Sequence, residues 1–398
     1  MSWEDVLCKG ILLEILSILP VKSLIRFMCM SKYFQSLILD PCLATMHLQN
    51  SCKSPNFLLK YYSNEYKNCW EVVPSRINSS LFVVNMIRGN KLKCNYQILG
   101  SCNGLVCLTE RYNKGPNTFH LWNPTTKKEL MYPYSTLKHP KEEILIMLGY
   151  GYDNSRHSYR VVAIFGHVIS RVGPFRSLIC SLNEKRGWRE IQDFPAQPPW
   201  TMVGIYLNNT LNWLGAPKSI GRDLLNPRIS FDELVIVSLD LETETYTQLL
   251  LPHELNGVVV GDICFIEGLH SNEAPLVGVL NGYLSLFIHN RKTKHLSIWQ
   301  MKEFRNQRSW TLLLNIFLLD FGINDMQYDF LIPLCMTEKD RHIVIVKYLI
   351  NIDRVNQIII YNMRDKRVSF RNMVKNLCWI HPIEHVQSLV SPDVFSQP

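Results

Sequence analysis

Between residues 7 and 40 apolar side chains recur at helical spacing: Ile11, Leu12, Ile15, Leu16 and Leu19, then Leu24, Phe27 and Met28, then Phe34, Leu37 and Ile38. The spacing predicts three short helices. Pro20 ends the first, because its ring keeps the residue before it out of the helical region, and it begins the second, where a missing N–H is not needed. Ser31 stands where an N-cap of the third helix belongs, and Asp40-Pro41 closes that helix. Helices totalling about 35 residues bury too little surface to be robust alone. Several of their leucines and isoleucines fall on faces that cannot all point inward in so small a unit. That surplus implies a docking partner.

Residues 47–95 read as a connecting segment with strand-like pieces at Phe57–Tyr62 and Leu81–Ile87. From residue 96 to about 390 the pattern is β: short apolar runs, polar turns, scattered tryptophans and tyrosines. One unit repeats, an apolar run ending in Asn or Asp, a polar turn, and a second apolar or aromatic run. It occurs around Asn123, Asn183, Asp240, Asn290 and Asn362, at intervals of roughly 50 to 70 residues, the length of a four-stranded blade with a long loop. Tight-turn pairs flanked by apolar runs, Asn103-Gly104, Asn208-Asn209 and Asn281-Gly282, mark further hairpins. Meandering antiparallel blades are best protected when they close radially, so the pattern predicts a β-propeller, with another antiparallel β architecture as the alternative. The longer connections, Arg111–Asn117, Tyr132–Glu143, Arg171–Arg176, Gln192–Trp200 and Ala216–Arg228, are the candidate recognition loops.

The string Glu14-Ile15-Leu16-x-x-Leu19-Pro20-Val21-Lys22-Ser23-Leu24-x-Arg26-Phe27-x-Cys29-x-Ser31-Lys32, followed by Leu37-Ile38 and Asp40-Pro41, resembles the F-box of large plant F-box families. It departs from them in having Leu7-Cys8 where Leu-Pro is usual and Phe34 where the third helix usually carries tryptophan. Further along, Leu99 to Cys107, Leu121-Trp122-Asn123-Pro124-Thr125, Gly149 to Asp153 and Ser181 to Trp188 are similar to the F-box-associated, kelch-like region of plant proteins, including the S-locus F-box group. The likeness fades after about Leu250.

The resemblance implies an α+β chain: a small three-helix F-box at residues 1–46, then a mainly antiparallel, kelch-like β-propeller domain. It implies the substrate-receptor subunit of a Skp-cullin-F-box ubiquitin ligase, non-catalytic itself. The Skp-family linker would be held by Leu7, Ile11, Leu12, Ile15, Leu16, Leu19, Pro20, Val21, Leu24, Phe27, Phe34, Leu37 and Ile38. Cullin would be reached indirectly, and an unidentified protein substrate would bind the second domain. A propeller scaffold that never engages a ligase is the alternative.

The chain has 398 residues, 47% hydrophobic and 19% charged, an ordinary globular profile. Its twelve cysteines are scattered, without a C-x-x-C pair, and read as reduced core residues of an intracellular protein, cytoplasmic or nuclear. A formal charge of +8 comes from Lys and Arg spread mainly over turns, with no basic stripe for nucleic acid. The most apolar segment, Thr311 to Phe321, is short of the about 20 residues a membrane span needs. His381-Pro-Ile-Glu-His385 fits the inverted zinc-protease spelling H-x-x-E-H, but Cys378-Trp379-Ile380 before it reads as strand and no third ligand can be named, so no metal or other cofactor is expected. No G-x-S-x-G string is present.

Overall fold

A computed structural model describes residues 9–51, 56–63, 70–77, 84–86, 92–93, 96–110, 118–133, 142–167, 174–182, 187–198, 203–216, 229–263, 277–290, 292–323, 329–336, 342–349, 357–372 and 377–392. The amino-terminal module holds helices α1 (Lys9–Ser17), α2 (Val21–Met28), α3 (Lys32–Ile38) and α4 (Pro41–Ser51). Pro20 is the N-cap residue of α2, and the Ser31 hydroxyl caps α3 by accepting from the Phe34 N–H at 3.1 Å. The pattern placed a stop at Asp40-Pro41; the structure also begins a helix there. Asp40 Oδ1 accepts from the Cys42 N–H at 2.9 Å, and Pro41 takes the first helical position, where proline is preorganised. The module therefore has a fourth helix, which runs across residue 46, where the F-box was expected to end. α1 packs against α4 and α2 against α3. Leu12, Leu16, Leu24, Leu37, Ile38 and Leu43 meet in one buried cluster.

The remaining described strands form six blades, of which the second to sixth are meanders running outward from their innermost strands and the third and fourth are joined in one eight-stranded sheet. The second is Tyr96–Cys102, Leu105–Glu110, Thr118–Trp122 and Glu129–Pro133. The third is Glu143–Asp153, Ser158–His167, Arg176–Ser181 and Trp188–Glu190, and the fourth Val203–Leu207, Thr210–Gly215, Val235–Asp240 and Tyr246–Leu250. The fifth is Val277–Leu280, Tyr283–Asn290, His295–Met301 and Trp310–Phe317, and the sixth Asp329–Met336, His342–Leu349, Gln357–Asn362 and Val368–Asn372.

The first blade joins the two ends of the domain. Its outer strands are Asn56–Ser63, Trp70–Ile77 and Val84–Met86, with Leu92–Lys93 beside the second of these, and its innermost strand is Leu377–His385, antiparallel to Asn56–Ser63. Within residues 47–95, expected as a connector, the described residues finish α4 and then supply four strands of a blade. A pairing between segments more than 300 residues apart leaves no local sign in the sequence.

Hydrophobic clusters fill the spaces between blades. Leu99, Cys107, Tyr150 and Phe165 pack between the second and third, and Ile164, Phe194, Trp213 and Val237 between the third and fourth. Where the third and fourth blades approach, Val203-Gly204 pairs in parallel with Leu148-Gly149. A Cβ on Gly149 or Gly204 would stand 2.7 or 2.5 Å from the Trp213 ring, so only glycine lets both backbones flank the indole.

The described Asn/Asp positions of the repeat have a local cause, which Asp153 shares. Asn123, Asp153, Asp240, Asn290 and Asn362 each accept from backbone N–H groups two or three residues on, at 2.8 to 3.2 Å. Four residues after each, Lys127, His157, Glu244, Lys294 and Lys366 take positive φ of 49 to 65°. Each turn is thus a side-chain-closed hairpin ending in one left-handed residue. Asn183 lies outside the described residues. The pairs at 103–104, 208–209 and 281–282 all have positive φ at both positions, as the tight hairpin turn requires.

Candidate functional site

α1 and the residue after it carry two stripes. Leu12 and Leu16 face the module's core, while Ile11, Ile15 and Ile18, at i, i+4 and i+7, run along an adjacent side and are 48, 44 and 71% exposed. Ile25 on α2, Met30 after it and Leu39 after α3 are exposed as well. Half of the twelve exposed large hydrophobic residues among those described lie in this small module, an enrichment of the kind that interaction surfaces show.

The expected contact residues divide by depth. Leu12, Leu16, Val21, Leu24, Leu37 and Ile38 are buried in the module itself. Leu19, Phe27 and Phe34 are half-buried, and Pro20 is exposed. Ile11 and Ile15 stand on the open stripe, and Leu7 lies outside the described residues. The exposed Ile18, Ile25, Met30 and Leu39 are not among the expected contact residues. The signal was present in the angular position of Ile18, which continues the 11–15 row rather than the 12–16 row.

The aromatic anchor at Phe34 is stacked on Phe27, with ring centroids 5.6 Å apart and planes inclined by 24°. Lys9 Nζ reaches Asp40 Oδ2 at 3.3 Å across the start of α1 and α4. The N–H of Cys42, and then Lys9, hold the Asp40 carboxyl below its ordinary range, so the cap stays ionised at neutral pH. His47 ties α4 to the end of α1 through Nε2 and the Leu19 carbonyl at 2.9 Å.

On the propeller, the turns after each innermost strand and after each third strand open on one face. The strand ends that flank residues 111–117, 134–141, 168–173, 191–202 and 217–228 all lie on the other. The described strand ends that bound the five candidate recognition loops therefore share the second face. Most of their residues lie outside the described ones. Arg176 marks that face with a fork of bonds to Glu143 and Glu190, Nε to Glu143 at 3.2 Å and Nη1 to Glu190 at 2.8 Å.

His381 and His385 lie on the extended strand Leu377–His385. Four residues of strand separate them by about 13 Å, too far to share one zinc ion. No group of three or more His, Cys, Asp or Glu suited to a metal occurs among the described residues. Burial pushes the Cys102 and Cys107 thiols far up, so neither is a ready nucleophile. No described helix is long and apolar enough to cross a membrane.

An apolar helical docking module joined to a ring of blades defines a two-part interaction protein. The chain belongs to the F-box associated beta propeller domain family, whose model matches residues 60–392, and an F-box domain matches residues 6–45. It is 32% identical over 317 residues to an F-box/kelch-repeat protein of Arabidopsis thaliana, covering 76% of this chain and 77% of the relative. It is 25% identical over 320 residues to the F-box protein CPR1 of Arabidopsis thaliana, covering 75% and 70%. Among solved structures it is similar to the six-bladed fucose-recognising lectin of Aleuria aurantia, with a TM-score of 0.39, 7% identity, and coverage of 77% and 90%. The chain is thus a plant-type F-box protein with an F-box-associated propeller, a build that in general serves as a substrate adaptor of Skp-cullin-F-box assemblies rather than as an enzyme.

Proposed function

We propose that this chain is the target receptor of a Skp-cullin-F-box ubiquitin ligase, holding a Skp-family linker through the open stripe Ile11, Ile15 and Ile18 with Ile25, Met30 and Leu39. The observation that carries this reading is the exposed apolar side of a helical module whose core is already filled by other leucines. A protein target binds on the long-loop face of the propeller, and cullin is reached only through the linker. Tethering raises the effective concentration of target lysines at the conjugating enzyme, so the receptor needs two surfaces and no catalytic group of its own. It works inside the cell, in cytoplasm or nucleus.

The test is capture of purified Skp-family linker. Ile11→Asp and Ile15→Asp each place a charge on the stripe without entering the core, and each is expected to weaken capture by about tenfold or more. Met131→Asp, an equally exposed apolar position on the second blade, leaves capture unchanged. Leu16→Asp and Leu24→Asp are poor probes, because both side chains are buried and their substitution unfolds the module. Capture that is absent in the unaltered protein, or indifferent to both stripe variants, refutes the reading and leaves a propeller scaffold without ligase engagement.

A further inference from the structure

After the innermost strand of the first blade the chain continues through residues 386–392 across two turns of the second blade, those at 103–104 and 123–128. Ser388 is fully buried, and its hydroxyl donates to the Asn103 carbonyl at 3.0 Å. The Asn123 amide donates to the carbonyls of Ser388 at 3.1 Å and Val390 at 2.7 Å. Lys128 Nζ adds a bond to Ser391 Oγ at 3.2 Å. Val390 packs against the cluster between the second and third blades, whereas its neighbour Leu389 packs against the core of the helical module. Two neighbouring side chains of this segment thus enter two different cores.

Two features of the second blade are fitted to this segment. Gly104 has φ of +77°, and a Cβ there would stand 2.2 Å from Ser388 Oγ and 2.8 Å from the Val386 carbonyl, so the turn leaves room only for the strap. Asn123 is fully buried and divides its amide between two tasks. Oδ1 closes its own turn, and Nδ2 grips the strap. At the matching position of the fourth blade Asp240 closes the same kind of turn with Oδ1, while Oδ2 accepts from Arg305 at 3.0 Å. A carboxylate therefore serves the turn, and only an amide can also donate to the strap's carbonyls.

We infer that residues 386–391 are an interdomain clasp, and that Asn123, Leu389 and Val390 are positioning residues which fix the helical module at one orientation on the propeller. The clasp deepens the receptor reading above and rests on it for its purpose: a linker-binding stripe and a target face can present lysines to a conjugating enzyme reproducibly only if the body between them does not swivel. Without such a clasp, two domains joined by residues 52–55 and a modest interface are expected to move relative to each other.

The experiment uses the full chain, with a donor and an acceptor dye placed through unnatural amino acids at the exposed positions Gln49 on α4 and Arg308 on the fifth blade. Single-molecule energy transfer reads the distribution of their separation, and linker capture is measured on the same samples. Asn123→Asp keeps the turn and removes the donor to both strap carbonyls. Leu389→Ser leaves Asn123 untouched and removes the side chain from the helical core. Both are expected to widen the distribution by about two-fold or more with linker capture unchanged. If Asn123→Asp fails to fold, Leu389→Ser alone decides. A distribution that is already broad in the unaltered chain, or stays narrow in both variants, overturns the clasp. Loss of capture in the unaltered chain strikes the receptor reading and leaves the distance result to judge the clasp separately.

Discussion

Lowering the pH tests the seam where the ring closes. His385 ends the innermost strand of the first blade, is 2% exposed, and has Nδ1 3.4 Å from the Ser101 hydroxyl of the second blade. Its Nε2 has no partner among the described residues. Burial pulls the imidazole down to about 4 from its ordinary 6.5. Between those values the unfolded chain holds the proton and the native chain refuses it. The stability contribution is therefore complete above the unfolded value and is lost as pH falls through the window. Taking the chain from about pH 7.5 to about pH 5 should cost on the order of 2 kcal/mol through this one group. His47, also lowered by burial, adds a loss of the same sign, whereas desolvation raises the Glu384 carboxyl and acts in the opposite sense. The measurement is therefore a difference: urea unfolding of the unaltered protein and of His385→Gln at both pH values. The histidine protein should lose more stability on acidification than the variant by about the amount stated. Equal losses would show that the imidazole is not desolvated at the seam and would refute the reasoning.

Two further substitutions probe packing. Leu24 is fully buried at the centre of the helical module, and Leu24→Ala is expected to cost about 3 kcal/mol, read as earlier proteolysis of residues 9–51 while the propeller resists. Gly204→Ala sets a methyl 2.5 Å from the Trp213 ring, so the third and fourth blades must part locally; a loss of about 1–3 kcal/mol in thermal unfolding, with linker capture unaffected, is expected.

What could be read from the sequence was whatever has a local cause. The turn residues Asn123, Asp240, Asn290 and Asn362 act on amides two or three residues away, so the blade rhythm is visible in a single chain. Ser31 and Pro20 likewise announce α3 and α2 by their own chemistry. Asp40-Pro41 is at once a stop and a start, and the helical spacing before it marks only the stop, so α4 has no counterpart among the expected helices. The expected contact residues include side chains buried in the module for a related reason. Helical periodicity identifies apolar rows, but choosing the inward row requires knowing that Leu43 of α4 completes the core beside Leu12 and Leu16, leaving Ile11, Ile15 and Ile18 outside. The clasp was the least legible. Asn123 was noted as a turn residue, and nothing near it in sequence tells of Ser388 and Val390, more than 260 residues away.

The first blade also has a consequence for how the chain is made. Synthesis delivers the helical module first, then strands Asn56–Ser63 to Leu92–Lys93, and only after five further blades the strand Leu377–His385 that completes them. Until then the ring is a horseshoe with open strand edges, the form most exposed to wrong pairing. A message cut short before residue 377 would yield a chain that keeps the whole helical module and has no closed propeller. On the proposed receptor function such a fragment would occupy the linker and deliver nothing, so truncation late in this chain should be more harmful than its complete loss.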